Sequence, residues 1–148
     1  MYKRVLLAYD GSREGRQALR EGGLIAKHSG AEVFVVAIVS PTASVDPMGA
    51  PLPAMAEHEE ILHEGLARAA QAGVHARGEV VAGLPVDVIK RYANTWKADL
   101  VVVGHRRRGM LERWWSGPSH AALSDHLNCS LLISQNSIDD DTFYARKS

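Results

Sequence analysis

The chain has 148 residues, the size of one globular domain and enough to bury a core without disulfides or metals. Its 17 Lys and Arg residues balance its 17 Asp and Glu residues, which argues against a dedicated nucleic-acid-binding protein, because such proteins usually carry a basic surplus. Neutrality also removes the repulsion that keeps many proteins apart, so it favours self-association.

Two features of the composition indicate a cytoplasmic protein. The single cysteine, Cys129, cannot form an internal disulfide, which favours a reducing compartment. No apolar run reaches the roughly 18 residues of a membrane span, and the run at residues 5–9 is shorter than a signal-peptide core of roughly 7–15 residues. We therefore expect neither membrane insertion nor export.

The first predicted unit is a buried strand followed by a helix. Residues 5–9 form a continuous apolar run, which is typical of a strand covered on both faces. After a break at Asp10, Ser12 is a favourable N-cap for a helix over Arg13–Ser29, and Gly30 suits the residue after its end. The inward stripe of this helix comprises Ala18, Gly22, Ile25 and Ala26.

A second strand, a loop and a second helix follow. Residues 33–39 repeat the buried-strand pattern. Residues 40–54 contain four of the six prolines, which prevents regular structure and predicts a long loop. A helix is predicted over residues 55–72, with Gly73 as its stop and an inward stripe of Ile61, Leu62, Leu66 and Ala69.

The third strand is predicted to be the most exposed to solvent. Residues 75–82 alternate weakly between polar and apolar side chains, which indicates an edge strand with one exposed face. A Gly-Leu-Pro turn follows, and Pro85 suits the first turn of a helix. That helix carries Val86, Ile89, Ala93 and Trp96 inward.

The last third of the chain contains two more strands. Residues 100–103 are predicted to form a strand that ends at Gly104, followed by a loop through Gly117 and a short helix over residues 119–127. Ser130–Ser134 is the final strand. Residues 136–148 lack a core pattern, so we expect one domain over residues 1–135 followed by a mobile tail.

Strands that alternate with helices predict a three-layer α/β/α domain with a doubly wound parallel sheet. Such sheets bind ligands beyond the carboxyl ends of the strands, where the strand order reverses. Asp10, after the first strand, and Gly104, at the end of the fourth, are therefore the positions that the topology singles out.

Asp10 has two interpretations. A carboxylate directly after a buried strand can accept hydrogen bonds from a ribose or from an adenine amino group. It can equally cap the next helix or bind the amides of its own turn.

The most basic stretch of the chain, residues 104–109, also has two interpretations. It carries three consecutive arginines and lies between a strand tip and a predicted helix N-terminus at Ser119, and both features attract phosphate. The alternative is a solvated basic loop balanced by Glu112 or by the acidic tail. Two tryptophans, Trp114 and Trp115, follow this stretch. One of them is expected in the core, and the other either in the core or at an interface.

No residue pattern indicates a metal site or a catalytic centre. The seven histidines do not form a ligand set, and Cys129 is interpreted as a buried structural thiol. Nucleophile-elbow, P-loop and dinucleotide-binding motifs are absent from the sequence.

Four segments in this order resemble a single-domain universal stress protein, and the resemblance covers about residues 2–135. They are Val-Leu-Leu-Ala-Tyr-Asp-Gly-Ser at 5–12, Gly-Leu-Pro at 83–85, Ala-Asp-Leu-Val-Val-Val-Gly at 98–104 and His-Leu-Asn-Cys-Ser-Leu-Leu-Ile at 126–133. The resemblance implies an adenine nucleotide alpha hydrolase-like fold with strand order 3-2-1-4-5. It also implies a role in stress survival and a homodimer joined through Ser130–Ser134.

Members that bind ATP carry Gly-2x-Gly-9x-Gly-Ser/Thr after the fourth strand, and this chain keeps half of that motif. Gly104 and Gly117 match, whereas Arg107 and Pro118 occupy the other two positions and Ser119 lies one place late. A side chain at Arg107 fills space that glycine leaves open for phosphate, and proline supplies neither a hydroxyl nor an N–H. Arginines can bind phosphate directly instead.

For the nucleotide-binding members of the family, the resemblance implies ATP or AMP as the cofactor, with Mg²⁺ held only through the phosphates. The aspartate that contacts the nucleoside matches Asp10, and the second-strand residue whose main chain contacts adenine matches Ile38. The full set implied to bind the nucleotide is Ala8, Tyr9, Asp10, Ile38, Val103, Gly104, Arg106, Arg107, Gly117 and Ser119.

Two functions stay open at this point. One is a nucleotide-binding stress protein, and the other is a dimer of the same family that binds a protein partner without nucleotide. Enzymatic phosphoryl transfer is the weakest interpretation, because it needs a base and metal ligands that the sequence does not provide.

Overall fold

The structure, a computed structural model, describes residues 2–9, 13–39, 54–83, 85–104 and 127–134. Each predicted strand in these ranges is present, and the element bounds agree with the predicted ones to within one residue. The elements are β1 (Arg4–Tyr9), α1 (Arg13–Ser29), β2 (Glu32–Val39), α2 (Ala54–Gln71), β3 (Ala76–Ala82), α3 (Pro85–Trp96), β4 (Leu100–Gly104) and β5 (Ser130–Ser134).

The five strands form one parallel sheet in the order β3-β2-β1-β4-β5, which confirms the predicted topology. In register, Val5 on β1 lies level with Val33 on β2 and with Leu100 on β4. The strand order reverses between β1 and β4, so the expected ligand position lies at the carboxyl ends of these two strands.

The sheet is covered on both faces. α1 and α2 pack on the face that carries Val5, Leu7 and Tyr9, whereas α3 packs on the face that carries Leu6 and Ala8. All five residues of β4 are buried, as are the last five of β1. Their continuous apolar sequences follow from this double burial.

The predicted inward stripes of the helices are confirmed. Ala18 and Ala26 of α1 and Leu62 and Ala69 of α2 are buried in one cluster. Gly22 lets α1 lie close to the sheet, because a Cβ there would lie 2.5 Å from Leu7 Cδ2.

Two predictions need correction. Leu127 lies outside any helix and packs against the α3-face cluster, so the short helix expected over residues 119–127 does not reach it. Cys129 is only partly buried, because it lies in the short connection before the edge strand β5. Residues 119–126, the two adjacent tryptophans and residues 135–148 lie outside the described residues.

Within the described ranges, none of the helices combines the length and apolarity needed to cross a membrane.

Candidate functional site

The carboxyl ends of β1, β2 and β4 bring together five of the ten residues predicted to bind nucleotide. We call this group the strand-end site, and it comprises Ala8, Tyr9, Ile38, Val103 and Gly104, all buried. Ala8 lies level with Val103 on β4, while Tyr9 lies level with the residue just before Ile38. The structure therefore brings these five residues to one end of the sheet.

The other five predicted residues, Asp10, Arg106, Arg107, Gly117 and Ser119, lie outside the described residues. Tyr9 is the last residue of β1 and Gly104 the last of β4. Because β1 and β4 are neighbours, Asp10 and the residues after Gly104 follow adjacent strand ends.

The side chains of the strand-end site point to opposite faces of the sheet. Ala8, Ile38 and Val103 belong to the apolar cluster on the α3 face, whereas the ring of Tyr9 lies in the cluster on the α1 and α2 face. Tyr9 therefore contributes to the strand-end site through its main chain. The three apolar side chains supply a wall without charge.

The hydroxyl of Tyr9 belongs to a small hydrogen-bond network that is centred on Glu64 of α2. Tyr9 Oη donates to Glu64 Oε1 at 2.9 Å, and Arg68 Nε and Arg16 Nη2 lie 3.0 Å and 3.4 Å from the same oxygen. Burial of the phenol, reinforced by the Glu64 carboxylate, raises the pKa of Tyr9 above its ordinary value. The network fixes the end of β1 against α1 and α2.

A second polar contact fixes the end of β5. Ser134 Oγ donates to Glu21 Oε2 on α1 at 2.6 Å, and Gln17 Nε2 donates to Glu21 Oε1 at 2.5 Å. Ser134 lies level with Gly104, so this contact supports the β4 end of the site from the side. Sequence reasoning missed both networks: the pairs Gln17–Glu21 and Glu64–Arg68 are visible at helical spacing, but their partners on the sheet are not.

Asp99, in the segment just before β4, lies away from the strand-end site. Asp99 lies at the amino end of the sheet, where its Oδ2 accepts from Lys3 N at 2.7 Å and its Oδ1 from Arg4 N at 3.0 Å. Its own main chain donates to Arg4 O and accepts from Ser130 N. Asp99 thus closes the amino ends of β1, β4 and β5 and takes no part in the strand-end site.

The described part of the strand-end site is apolar and supplies no charged side chain for a phosphate. Gly104 ends β4 without a side chain, which leaves room where the chain leaves the sheet. Charged contacts would have to come from Asp10 and from the arginines after Gly104. Among the described residues, no group of three or more His, Cys, Asp or Glu side chains could hold a metal.

Comparison with known proteins gives a consistent picture. The model of the universal stress protein family matches residues 1–135. A universal stress protein of Methanocaldococcus jannaschii is 28% identical over 144 residues, which cover 90% of this chain and 82% of the relative.

Solved structures agree with the fold. A universal stress protein crystallised in complex with cAMP has a TM-score of 0.70 and 25% identity, covering 89% of this chain and 96% of the other. The universal stress protein from Archaeoglobus fulgidus in complex with dAMP has a TM-score of 0.68 and 19% identity, covering 89% of this chain and 97% of the other, and supports the fold alone.

Proposed function

The chain belongs to the universal stress protein family, and we propose that it binds an adenine nucleotide, ATP or AMP, at the strand-end site. The observation that carries the proposal is the meeting of Ala8, Ile38 and Val103 with the bare end of β4 at the reversal of strand order. A universal stress protein with 25% identity was crystallised with cAMP, which supports the same class of ligand here.

The apolar wall would contact the base of the nucleotide, and the charged residues after β1 and β4 would contact the ribose and the phosphates. The slightly exposed side chains of Ala8 and Ile38 would lie against an adenine ring, and the main chain at Ile38 would offer polar groups to its edge. Asp10 follows β1 and would accept hydrogen bonds from the ribose. Arg106 and Arg107 follow Gly104 by two and three residues and would pair with the phosphates.

The altered glycine motif sets the expected ligand preference. Arg107 replaces a glycine and would bind phosphate through its guanidinium instead of a main-chain amide. Pro118 removes one amide donor, and Ser119 with the residues that follow remains available. Mg²⁺ would be held only through the phosphates.

Isothermal titration of the full chain with ATP, AMP, cAMP and GTP, each with and without Mg²⁺, tests the proposal. We expect saturable binding of ATP or AMP and weaker binding of GTP, because the site recognises the base. Absence of heat and of any thermal shift at millimolar nucleotide would reject the proposal in favour of a family member that works without nucleotide.

Matched variants locate the site. Asp10→Ala is expected to weaken binding about tenfold, the cost of one hydrogen bond between a charged group and the ligand. Asp87→Ala serves as the control, because Asp87 is an exposed acid in the first turn of α3. Equal effects of the two substitutions would place the nucleotide elsewhere.

We also propose that the chain forms a homodimer through β5. β5 is the last strand of the described sheet, and Leu131, Leu132 and Ile133 are each only partly buried. An edge strand with apolar side chains and open main-chain groups favours pairing with a second copy.

The main-chain hydrogen-bonding pattern suggests the test. Ser130 N donates towards β4, to Asp99 O, so the next residue, Leu131, directs its N–H to the open side. Leu131→Pro removes that donor and should yield a monomer by light scattering. Leu131→Ala loses similar packing but keeps the N–H, so it should remain a dimer; a monomeric wild-type chain at micromolar concentration would refute the dimer.

A further inference from the structure

A second recognition surface lies beside the β3 edge of the sheet, along the second half of α3. It is a cavity of about 390 Å³, which we call the aromatic groove, and its lining residues are Phe34, Glu79, Arg91, Tyr92, Thr95 and Trp96. The Phe34 ring centroid lies 5.8 Å from that of Tyr92 and 5.6 Å from that of Trp96. The volume is in the range of pockets that bind side chains or small ligands.

Three guanidinium groups border these rings, and one of them, that of Arg4 over Trp96, is paired with Glu32. The Cζ atom of Arg77 lies 5.8 Å from the Phe34 ring centroid, and that of Arg91 lies 5.6 Å from the Tyr92 ring centroid. Both arginines are exposed, and neither makes a hydrogen bond or an ion pair with any residue that the structure describes. Arginines held on aromatic rings remain able to bind carboxylates.

One carboxylate lies in the groove, and it has a partner. Glu79 Oε2 accepts a hydrogen bond from Tyr92 Oη at 2.5 Å. The guanidinium groups of Arg77 and Arg91 against this one carboxylate leave a positive surplus. The groove therefore complements an occupant that carries negative charge and an aromatic ring together.

The groove is distinct from the strand-end site. Phe34 lies four residues before Ile38 on β2, a separation of roughly 13 Å along the strand. An occupant of the groove therefore leaves the proposed nucleotide contacts free.

The chain itself contains a segment with the complementary chemistry. Three aspartates at residues 139–141 are followed by Phe143 and Tyr144. We propose that this acidic and aromatic segment, residues 139–144, docks intramolecularly in the aromatic groove, with its carboxylates on Arg77 and Arg91 and an aromatic ring against Phe34.

The length of the chain permits this contact. Ser134, the end of β5, lies three strand spacings from β2 and three levels above Phe34, a direct separation of roughly 17 Å. Nine residues lead from Ser134 to Phe143, and they span up to roughly 30 Å when extended. Because the extended residues span more than the direct separation, the segment can reach the groove by a path around the helices that cover the sheet.

Limited proteolysis of the full chain measures the docking, because chymotrypsin cleaves after Phe143 or Tyr144 only when the segment is released. Mass spectrometry follows the loss of the terminal fragment. The double variant Arg77→Gln/Arg91→Gln should speed this cleavage about fivefold to tenfold, the effect of losing two exposed charge contacts. Replacing the three aspartates by asparagine should speed it equally, and the combined variant should add nothing further.

The controls make the result decisive. Lys27→Gln removes an exposed charge at the end of α1, on the other face of the sheet, and should leave the rate unchanged. Circular dichroism confirms that each variant is folded. An unchanged rate in the Arg77→Gln/Arg91→Gln variant would overturn the proposal, and protection that rises with protein concentration would replace the intramolecular contact by one between two copies.

Discussion

The two ends of the parallel sheet are built differently. At the amino end, the Asp99 carboxylate binds the main-chain N–H groups of Lys3 and Arg4, so hydrogen bonds join one strand directly to its neighbour. At the carboxyl end, the described side-chain hydrogen bonds run sideways from Tyr9 and Ser134 to helices. The amino end is thus closed upon itself, whereas the carboxyl end is supported from the sides.

This difference separates stability from binding. The two main-chain donors hold the Asp99 carboxylate at the end of the sheet opposite the strand-end site, which makes Asp99 a structural residue although it lies in a family motif. The side-chain hydrogen bonds of Tyr9 and Ser134 at the carboxyl end do not involve the apolar wall. That wall is formed by Ala8, Ile38 and Val103. Substitutions at the two ends should therefore affect different measurements.

The largest expected effect is on stability, at the amino end. Asp99→Ala leaves two main-chain donors without their charged acceptor and should lower the free energy of unfolding by about 2 kcal/mol. Asp99→Asn should cost less, because the amide keeps one acceptor oxygen. Denaturant unfolding measures both values, and the nucleotide dissociation constant of the folded protein should not change.

Glu59→Ala is the matched control for Asp99, because Glu59 is exposed on α2 and such substitutions usually change stability by less than about 0.5 kcal/mol. A loss of nucleotide affinity in Asp99→Ala as large as that in Asp10→Ala would show that the two ends are not independent.

The next effect concerns the support of the carboxyl end. A Cβ at Gly65 would lie 2.8 Å from Tyr9 Cδ2, so Gly65→Ala must displace the ring and, with it, the last residue of β1. We expect a stability loss of about 1–2 kcal/mol from overpacking together with weaker nucleotide binding. Calorimetric titration and denaturant unfolding of the same sample measure the two effects.

Gly23→Ala provides the comparison for Gly65. Its nearest neighbour, Val74 Cγ2, lies at 3.6 Å, an ordinary contact, so the higher helix propensity of alanine should stabilise α1 by up to about 1 kcal/mol. Unchanged affinity in Gly65→Ala would mean that the position of Tyr9 does not control the strand-end site.

The buried strands could be predicted from the sequence, whereas the polar contacts between distant parts of the chain could not. The buried strands were predictable because residues 5–9 and 100–103 are apolar without interruption, which only a doubly covered strand requires. The choice of Ala8, Ile38 and Val103 as candidates came from the resemblance to universal stress proteins, and the strand order brings them to one end of the sheet. The contacts of Tyr9 with Glu64 and of Ser134 with Glu21 span 55 and 113 residues, and no local pattern specifies which polar residues meet across such distances.

The smallest effect sharpens the role of the Tyr9 network. Tyr9→Phe removes one hydrogen bond to Glu64 and should cost about 1 kcal/mol at neutral pH. Its alkaline behaviour is more specific, since burial and the Glu64 carboxylate raise the pKa of Tyr9 above the ordinary value of about 10. The unfolded chain then releases the phenol proton at a lower pH than the folded chain does.

Because the folded state holds more protons above pH 10, the free energy of unfolding should fall as pH rises through that range, by up to about 1.4 kcal/mol per pH unit for one tyrosine. Below pH 10 the contribution is complete. Tyr9→Phe should remove that part of the decline, so the difference in stability between wild type and variant should shrink above pH 10.

Burial and Glu79 also raise the pKa of Tyr92, which is more exposed than Tyr9, so Tyr92→Phe should remove a smaller part. An equal decline in Tyr9→Phe and wild type would mean that the phenol at the end of β1 is not held in its protonated form by the fold.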